Sequence, residues 1–246
     1  MINIASYIDH TILKPVTTYI EIKKICEEAK TCGFAAVCVP PPLVILAGEW
    51  LDGGKEGTAK GPHQVVRQPS SGDLRHGVKV ATVIGFPFGY SVEKAKLSET
   101  EQALADGADE LDVVINLVAL KNGDWGALSR EISAVTKRVH DRGKIVKVII
   151  ESGILKDEEI IRCCEIMGGL GVDFLKTSTG YAERGATLEA VQLMRQHLPS
   201  GVRIKASGGI RTYAFARDLV AAGADRLGCS ASVAIVKEEK EASQKN

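Results

Sequence analysis

The sequence predicts an α/β protein in which eight parallel strands close into a single-domain (β/α)8 barrel of the TIM type. Three observations predict it. Eight short apolar runs alternate with helical patterns along the chain, which is the signature of parallel β/α units. Glycines at 33, 77, 107, 143, 171, 201 and 223 each stand just before one of those runs, where a helix needs a left-handed C-terminal cap. The length of 246 residues matches the ~250 residues typical of such a barrel. A doubly wound open sheet is the rival fold, and it needs a glycine-rich turn after the first strand. The sequence there reads IDHTILKP.

The elements follow in order. SYIDHTIL (6–13) predicts the first strand. Thr18, with Glu21 three residues on, is a capping box, and Ile22, Ile25, Cys26 and Ala29 then share one helical face. AAVCV (35–39) is strand two, and PPPLVILAGEWL leads through a loop into a helix. Residues 53–77 hold six glycines and two prolines and predict a loop insertion, with a short hairpin as the alternative. VKVATVIG (78–85) is strand three, followed by GFPFGYS and a helix over 92–106. ELDVVIN (110–116) is strand four, and Asp124 caps a helix carrying Leu128, Ile132, Val135 and Val139 on one face. IVKVIIE (145–151) is strand five, with a helix over 157–167; FLKTST is strand six, with a helix over 187–198. VRIKASGG (202–209) is strand seven, with a helix over 212–222, and RLGCS (226–230) is strand eight before a short last helix. The tail from about 237 to 246, KEEKEASQKN, is charged and predicts fraying.

Composition narrows the function classes. Lys plus Arg and Asp plus Glu balance at 31 each, so bulk charge argues neither for nucleic acid nor for an anionic membrane. No apolar stretch approaches the ~20 residues of a membrane span, and the N-terminus lacks the basic and apolar regions of a signal peptide. Six cysteines with no CxxC pair favour a reducing cytoplasm over a disulfide framework. The five histidines show no HxH or HExxH spacing, so no metal is expected.

The informative stretch is FLKTSTG (174–180). A strand buried on both faces should be a nearly continuous apolar run, and an ammonium within it is costly to desolvate. Lys176 therefore asks for a chemical reason. Alternate strand residues face the same way, so Asp9 and Thr11, Asp112 and Asn116, Lys147 and Lys205 are all eligible for the lumen that Lys176 faces. A lysine out of water beside another ammonium loses affinity for its proton. Its neutral amine then attacks a carbonyl and forms a Schiff base, with Lys205 as the cationic neighbour and Asp112 moving protons. The protonated imine is its own electron sink, so no cofactor is required. The alternative is a lysine near a strand end that reaches solvent, and an Asp112 that only pairs with a lysine. Cys38 lines the lumen or serves as a small buried hydrophobe. SGGI (207–210) and GCSAS (228–232), at the ends of strands seven and eight, suit an anion at helix N-termini, with Gly180 as a third donor.

Nine stretches resemble the deoxyribose-phosphate aldolase family: IDHTILKP, EEAKTCGFAAVCV, TVIGFPFG, DGADELDVVIN, ALKNGDW, KVIIESGILKDEEI, DFLKTSTGYAERGAT, KASGGIRT and RLGCSASVAIV. The resemblance covers nearly the whole chain outside 53–77 and the tail. It implies a class I, metal-free aldolase that reversibly cleaves 2-deoxy-D-ribose 5-phosphate to acetaldehyde and D-glyceraldehyde 3-phosphate. It places the Schiff-base lysine on Lys176, the second lysine on Lys205 and the proton-relaying aspartate on Asp112. Substrate contacts fall on Asp9, Thr11, Cys38, Lys147 and Thr179, and phosphate contacts on Gly180, Gly208, Gly209, Gly228 and Ser230. Members are often dimers, so a homodimer and a sugar-phosphate ligand are the partners it implies. Pro40 stands where many members have asparagine. Tyr181 and Ala231 replace a lysine and a serine found in some, which predicts weaker phosphate binding. The insertion, following a helix and preceding a strand, is expected on the face away from catalysis. Two rival functions are a phosphosugar-binding barrel without chemistry and an aldolase for another 2-deoxy or keto sugar phosphate.

Overall fold

A computed structural model of the protein describes residues 2–54 and 77–244. Its eight strands form a closed parallel barrel in sequence order. They are β1 (Ile8–Thr11), β2 (Ala36–Val39), β3 (Lys79–Ile84) and β4 (Glu110–Val114), then β5 (Ile145–Ile149), β6 (Phe174–Lys176), β7 (Arg203–Ser207) and β8 (Arg226–Cys229). The ring closes where Asp9 pairs with Gly228 across β1 and β8. The expectation of a (β/α)8 barrel holds. Of the predicted 53–77 insertion, residues 55–76 lie outside the described residues.

Apart from a short helix over Leu117–Lys121, which the sequence reading does not anticipate, the helices are those the sequence signals. Thr18 caps α1 (Tyr19–Cys32) with the full reciprocal box, and Gly33 ends it at φ 70°. Helix α2 (Val44–Leu51) follows a 3-10 turn over Pro41–Leu43. Then come α3 (Glu93–Ala105), a five-residue α4 (Leu117–Lys121) and α5 (Trp125–His140). Asp124 caps α5 by accepting from the Ala127 amide at 2.9 Å. The last four are α6 (Asp157–Gly169), α7 (Leu188–His197), α8 (Tyr213–Ala221) and α9 (Ser232–Ser243). Leu128, Ile132, Val135 and Val139 of α5 are fully buried, each contributing ~1.5–3 kcal/mol by leaving water.

Four expectations need correction. The first strand begins at Ile8, because Ile4–Tyr7 forms a 3-10 turn instead. Gly201 is not left-handed; it sits in a turn that the Val202 amide closes onto the Pro199 carbonyl at 3.0 Å. Asn116 does not face the lumen. It lies past the end of β4, and its side chain caps α4 by accepting from the Ala119 amide at 3.0 Å. The tail is helical to Ser243, because Ile235 and Val236 are buried and Glu239 accepts from the Ile4 amide at 2.9 Å.

The large apolar core lies between the outer face of the strands and the helices. The lumen has a separate, small apolar cluster of Ala36, Cys38, Ala81 and Val83, on β2 and β3. Charged side chains dominate the rest of the lumen, with Phe174 beneath Lys147 and Arg226, and that asymmetry positions the site.

Candidate active site

Lys176 is the last residue of β6 and is 3% exposed. Its Nζ donates to Asp112 Oδ2 at 2.7 Å. Lys205 Nζ donates to the same oxygen at 2.7 Å and also to Asp9 Oδ2. Lys147 Nζ donates to Asp112 Oδ1 at 2.8 Å and lies 2.6 Å from Glu110 Oε2. Arg226 Nη1 lies 2.6 Å from Asp9 Oδ1 and 3.3 Å from Glu110 Oε2. Strand register explains the meeting. Lys176 pairs with Lys205, Lys205 with Arg226, and Asp112 with Lys147, so side chains of one parity converge in the lumen.

The environment separates the three lysines. Burial pulls the Lys176 pKa down, the Asp112 carboxylate opposes it, and the Lys205 ammonium adds to the fall; the result is lowered. Burial also works against Lys147, but Asp112 and Glu110 outweigh it and the pKa is raised. For Lys205 burial is again outweighed, by Asp112 and Asp9, and the pKa is raised. Burial would push Asp112 up, yet Lys147, Lys176 and Lys205 together hold it well below the usual carboxylate range. One lysine therefore gives up its proton readily while its neighbours stay charged. Cys38 faces the same space, and burial, then Asp112, push its thiol up to about 11.

Above this cluster a cleft of about 550 Å³ opens at the carboxyl ends of the strands, with Lys176 at its base. Thr11, Thr179 and Gly180 line one part. Gly208, Gly209, Gly228 and Ser230 line another. The β6 loop is fixed from below: the Thr179 hydroxyl donates to Glu151 Oε2, and the Thr179 amide donates to the same carboxylate at 3.3 Å. Ser207 Oγ donates to the Ser178 carbonyl at 2.6 Å. Gly228 is needed for space, since a Cβ there would lie 2.8 Å from Ser207 Cβ and 3.2 Å from Lys205 Cε. Tyr181 leans across the mouth, its hydroxyl donating to the Leu13 carbonyl at 2.8 Å, with its ring edge-on to Phe86 at 5.3 Å.

Residues 3–235 match the model of the DeoC/LacD family of aldolases. The chain belongs to that family. The deoxyribose-phosphate aldolase of Thermococcus gammatolerans is 46% identical over 240 residues, covering 98% of each chain. That of Bacillus cereus is 45% identical over 244 residues, covering 99% of each. Among solved structures, the deoxyribose phosphate aldolase of Aeropyrum pernix, described as tetrameric, superposes with a TM-score of 0.81 at 32% identity. That match covers 97% of this chain and 92% of that one.

In this DeoC/LacD family member, every predicted site residue lies in the lumen or lines the cleft above it. Asp9, Cys38, Asp112, Lys147 and Lys205 are completely buried under the cleft floor. Sequence reasoning missed three residues: Glu110, Arg226 and Glu151. Parity was the available signal for the first two, since 110 alternates with 112 and 226 with 228. Both are first residues of their strands, where a charge reads as solvated. Glu151 is the sole non-glycine residue at positive φ (54°) among the described residues, a conformation that composition does not announce.

Proposed function

We propose that the protein is a class I aldolase that cleaves 2-deoxy-D-ribose 5-phosphate through an imine on Lys176. The neutral Lys176 amine adds to the C1 aldehyde of the open-chain sugar, and loss of water with uptake of one proton leaves a protonated imine. A base removes the C3 hydroxyl proton, and the C2–C3 bond breaks. Its electron pair moves through C2 into the iminium, so D-glyceraldehyde 3-phosphate leaves and an enamine remains. Protonation at C2 and addition of water release acetaldehyde and restore the amine. Asp112 is the proposed proton carrier, being in contact with Lys176 and held ionised by its neighbours. Lys205 is the proposed fixed cation. Asp9, Thr11, Cys38, Lys147 and Thr179 border the sugar in this reading. Backbone amides around Gly180, Gly208, Gly209, Gly228 and the Ser230 hydroxyl take the phosphate. The tie between Tyr181 and Leu13 gives that rim a neutral aromatic wall, consistent with the weaker phosphate binding expected there.

One observation carries the reading: a buried lysine with a lowered pKa, touching a carboxylate, at the base of a cleft. The test is covalent. Incubation with acetaldehyde and cyanoborohydride, then digestion, should leave a reduced adduct on the Lys176 peptide. Unmodified Lys176 alongside intact binding of deoxyribose 5-phosphate would favour a binding protein instead. Turnover of deoxyribose with and without its phosphate separates this substrate from other sugar phosphates. The compartment proposed is the cytoplasm, in keeping with six free cysteines. The assembly proposed is a homodimer, for which light scattering is the measurement.

A further inference from the structure

The lumen has a charge ledger that singles out one group. Among the described residues its buried and half-buried cations are Lys147, Lys176, Lys205 and Arg226, and its carboxylates are Asp9, Glu110 and Asp112; the exposed Arg203 guanidinium, stacked on Phe174 at 4.0 Å, stays in contact with water and forms no ion pair with these carboxylates. Three of the cations each touch at least two carboxylates: Lys147 has Glu110 and Asp112, with Asp9 at 3.7 Å, Lys205 has Asp9 and Asp112, and Arg226 has Asp9 and Glu110. Lys176 touches Asp112 alone, and shares its Oδ2 with Lys205. A net charge in a dry interior is costly. The cluster reaches neutrality when one cation gives up its proton, and Lys176 is the one with least to hold it.

Arg226 and Glu110 are the far end of this ledger. As first residues of β8 and β4 they sit toward the amino-terminal end of the barrel, and neither lines the cleft. Two routes of alternating sign run from them to Lys176. One passes from Arg226 through Asp9, Lys205 and Asp112. The other passes from Glu110 through Lys147 and Asp112. The remaining titratable groups facing Lys176 are Cys38 from β2, a neutral thiol, and Glu151 from the end of β5, whose carboxyl burial pushes up. Neither forms an ion pair with the four cations among the described residues, and the Glu151 carboxyl is taken up by the Thr179 amide and hydroxyl.

We propose that Arg226 and Glu110 are positioning residues whose opposite charges, relayed through this network, decide whether Lys176 enters the reaction as a neutral amine. The inference rests on the imine reading above. Without the Arg226 charge, two cations and Lys176 face three carboxylates, and Lys176 keeps its proton. Without the Glu110 charge, three cations face two carboxylates, and Lys176 loses its proton more readily.

The experiment measures the acid-limb midpoint of kcat/KM for deoxyribose 5-phosphate cleavage, which reports groups of the free enzyme. Cyanoborohydride trapping of the Lys176 peptide runs in parallel. R226M is expected to move the midpoint up by about one pH unit and E110Q to move it down by a similar amount. The double variant should return near the wild-type midpoint, and R226K should keep it. A structural role alone would lower rates at every pH and leave the midpoint fixed. One shared midpoint for wild type, E110Q and R226K, or shifts of the same sign in R226M and E110Q, overturns the proposal. If R226M does not fold, a downward shift in E110Q still supports it and an unmoved one overturns it. Absence of a wild-type adduct on Lys176 overturns the imine reading itself, whereas a wild-type adduct with unmoved midpoints overturns only this inference.

Discussion

Lys176 shows how little a residue's type says without its neighbours. Three lysines share one lumen, all nearly or fully buried, yet burial lowers the pKa in one and is outweighed in two. The difference is the number of carboxylates each one touches. Lys205→Met should therefore slow imine formation near neutral pH, by up to about tenfold for a shift of about one unit, with recovery as pH rises. The removed cation no longer helps Lys176 shed its proton, and Asp9 and Asp112 are left with fewer partners. Stopped-flow trapping across pH is the check. In wild type the rate should fall as pH falls through the lowered Lys176 pKa. Gly228→Ala tests the same side chain sterically. The new Cβ would stand 3.2 Å from Lys205 Cε, and overpacking of this kind costs ~1–3 kcal/mol. The expected result is a lower thermal midpoint together with slower imine formation, since the atom displaced is part of the network.

At the scale of elements, the buried pair Lys96–Glu131 ties α3 to α5 at 2.7 Å, and Lys96 Nζ also donates to the Val114 carbonyl at 2.8 Å. Removing one partner leaves an uncompensated buried charge, so Glu131→Ala should cost ~3–5 kcal/mol by urea unfolding, and a Lys96→Met/Glu131→Leu double variant considerably less. Helix α9 is bound at its far end by two carboxylates. Glu238 accepts from the Tyr213 amide at 2.7 Å at the start of α8, and Glu239 accepts from the Ile4 amide. Glu238→Ala should lower stability by ~1 kcal/mol, measured by the same unfolding. These contacts also explain what was readable. Thr18 with Glu21 announces a helix start by local chemistry alone, and the structure has that box intact. The tail's contacts are tertiary, joining Glu238 to Tyr213 and Glu239 to Ile4, 235 positions away, so its run of charges resembled a solvated end.

For the whole molecule, the barrel was legible because strand, glycine and helix recur at even spacing. Lys176 was legible as an isolated charge in an apolar run. Arg226 and Glu110 were not, because their burial depends on ring closure rather than on local pattern. Closure also governs acid stability. Asp9 and Asp112 titrate below their ordinary 3.8, since their cationic neighbours outweigh the burial that would raise them. Their share of stability is complete above 3.8 and drains away only as pH falls further. Glu99, Glu131 and Glu151, raised chiefly by burial, work in the opposite sense at milder acidity. Urea midpoints should therefore hold or rise slightly from neutral pH down to about 4 and drop below it.

Asp9 and Lys205 come from opposite ends of the polypeptide, 196 positions apart, and Arg226 arrives later still. A ribosome that has released only the first six strands has already exposed the future nucleophile, but as an ordinary amine wetted by solvent. Reactivity should thus appear only once β8 docks beside β1, and a chain cut before β8 is expected to leave no reduced acetaldehyde adduct on Lys176.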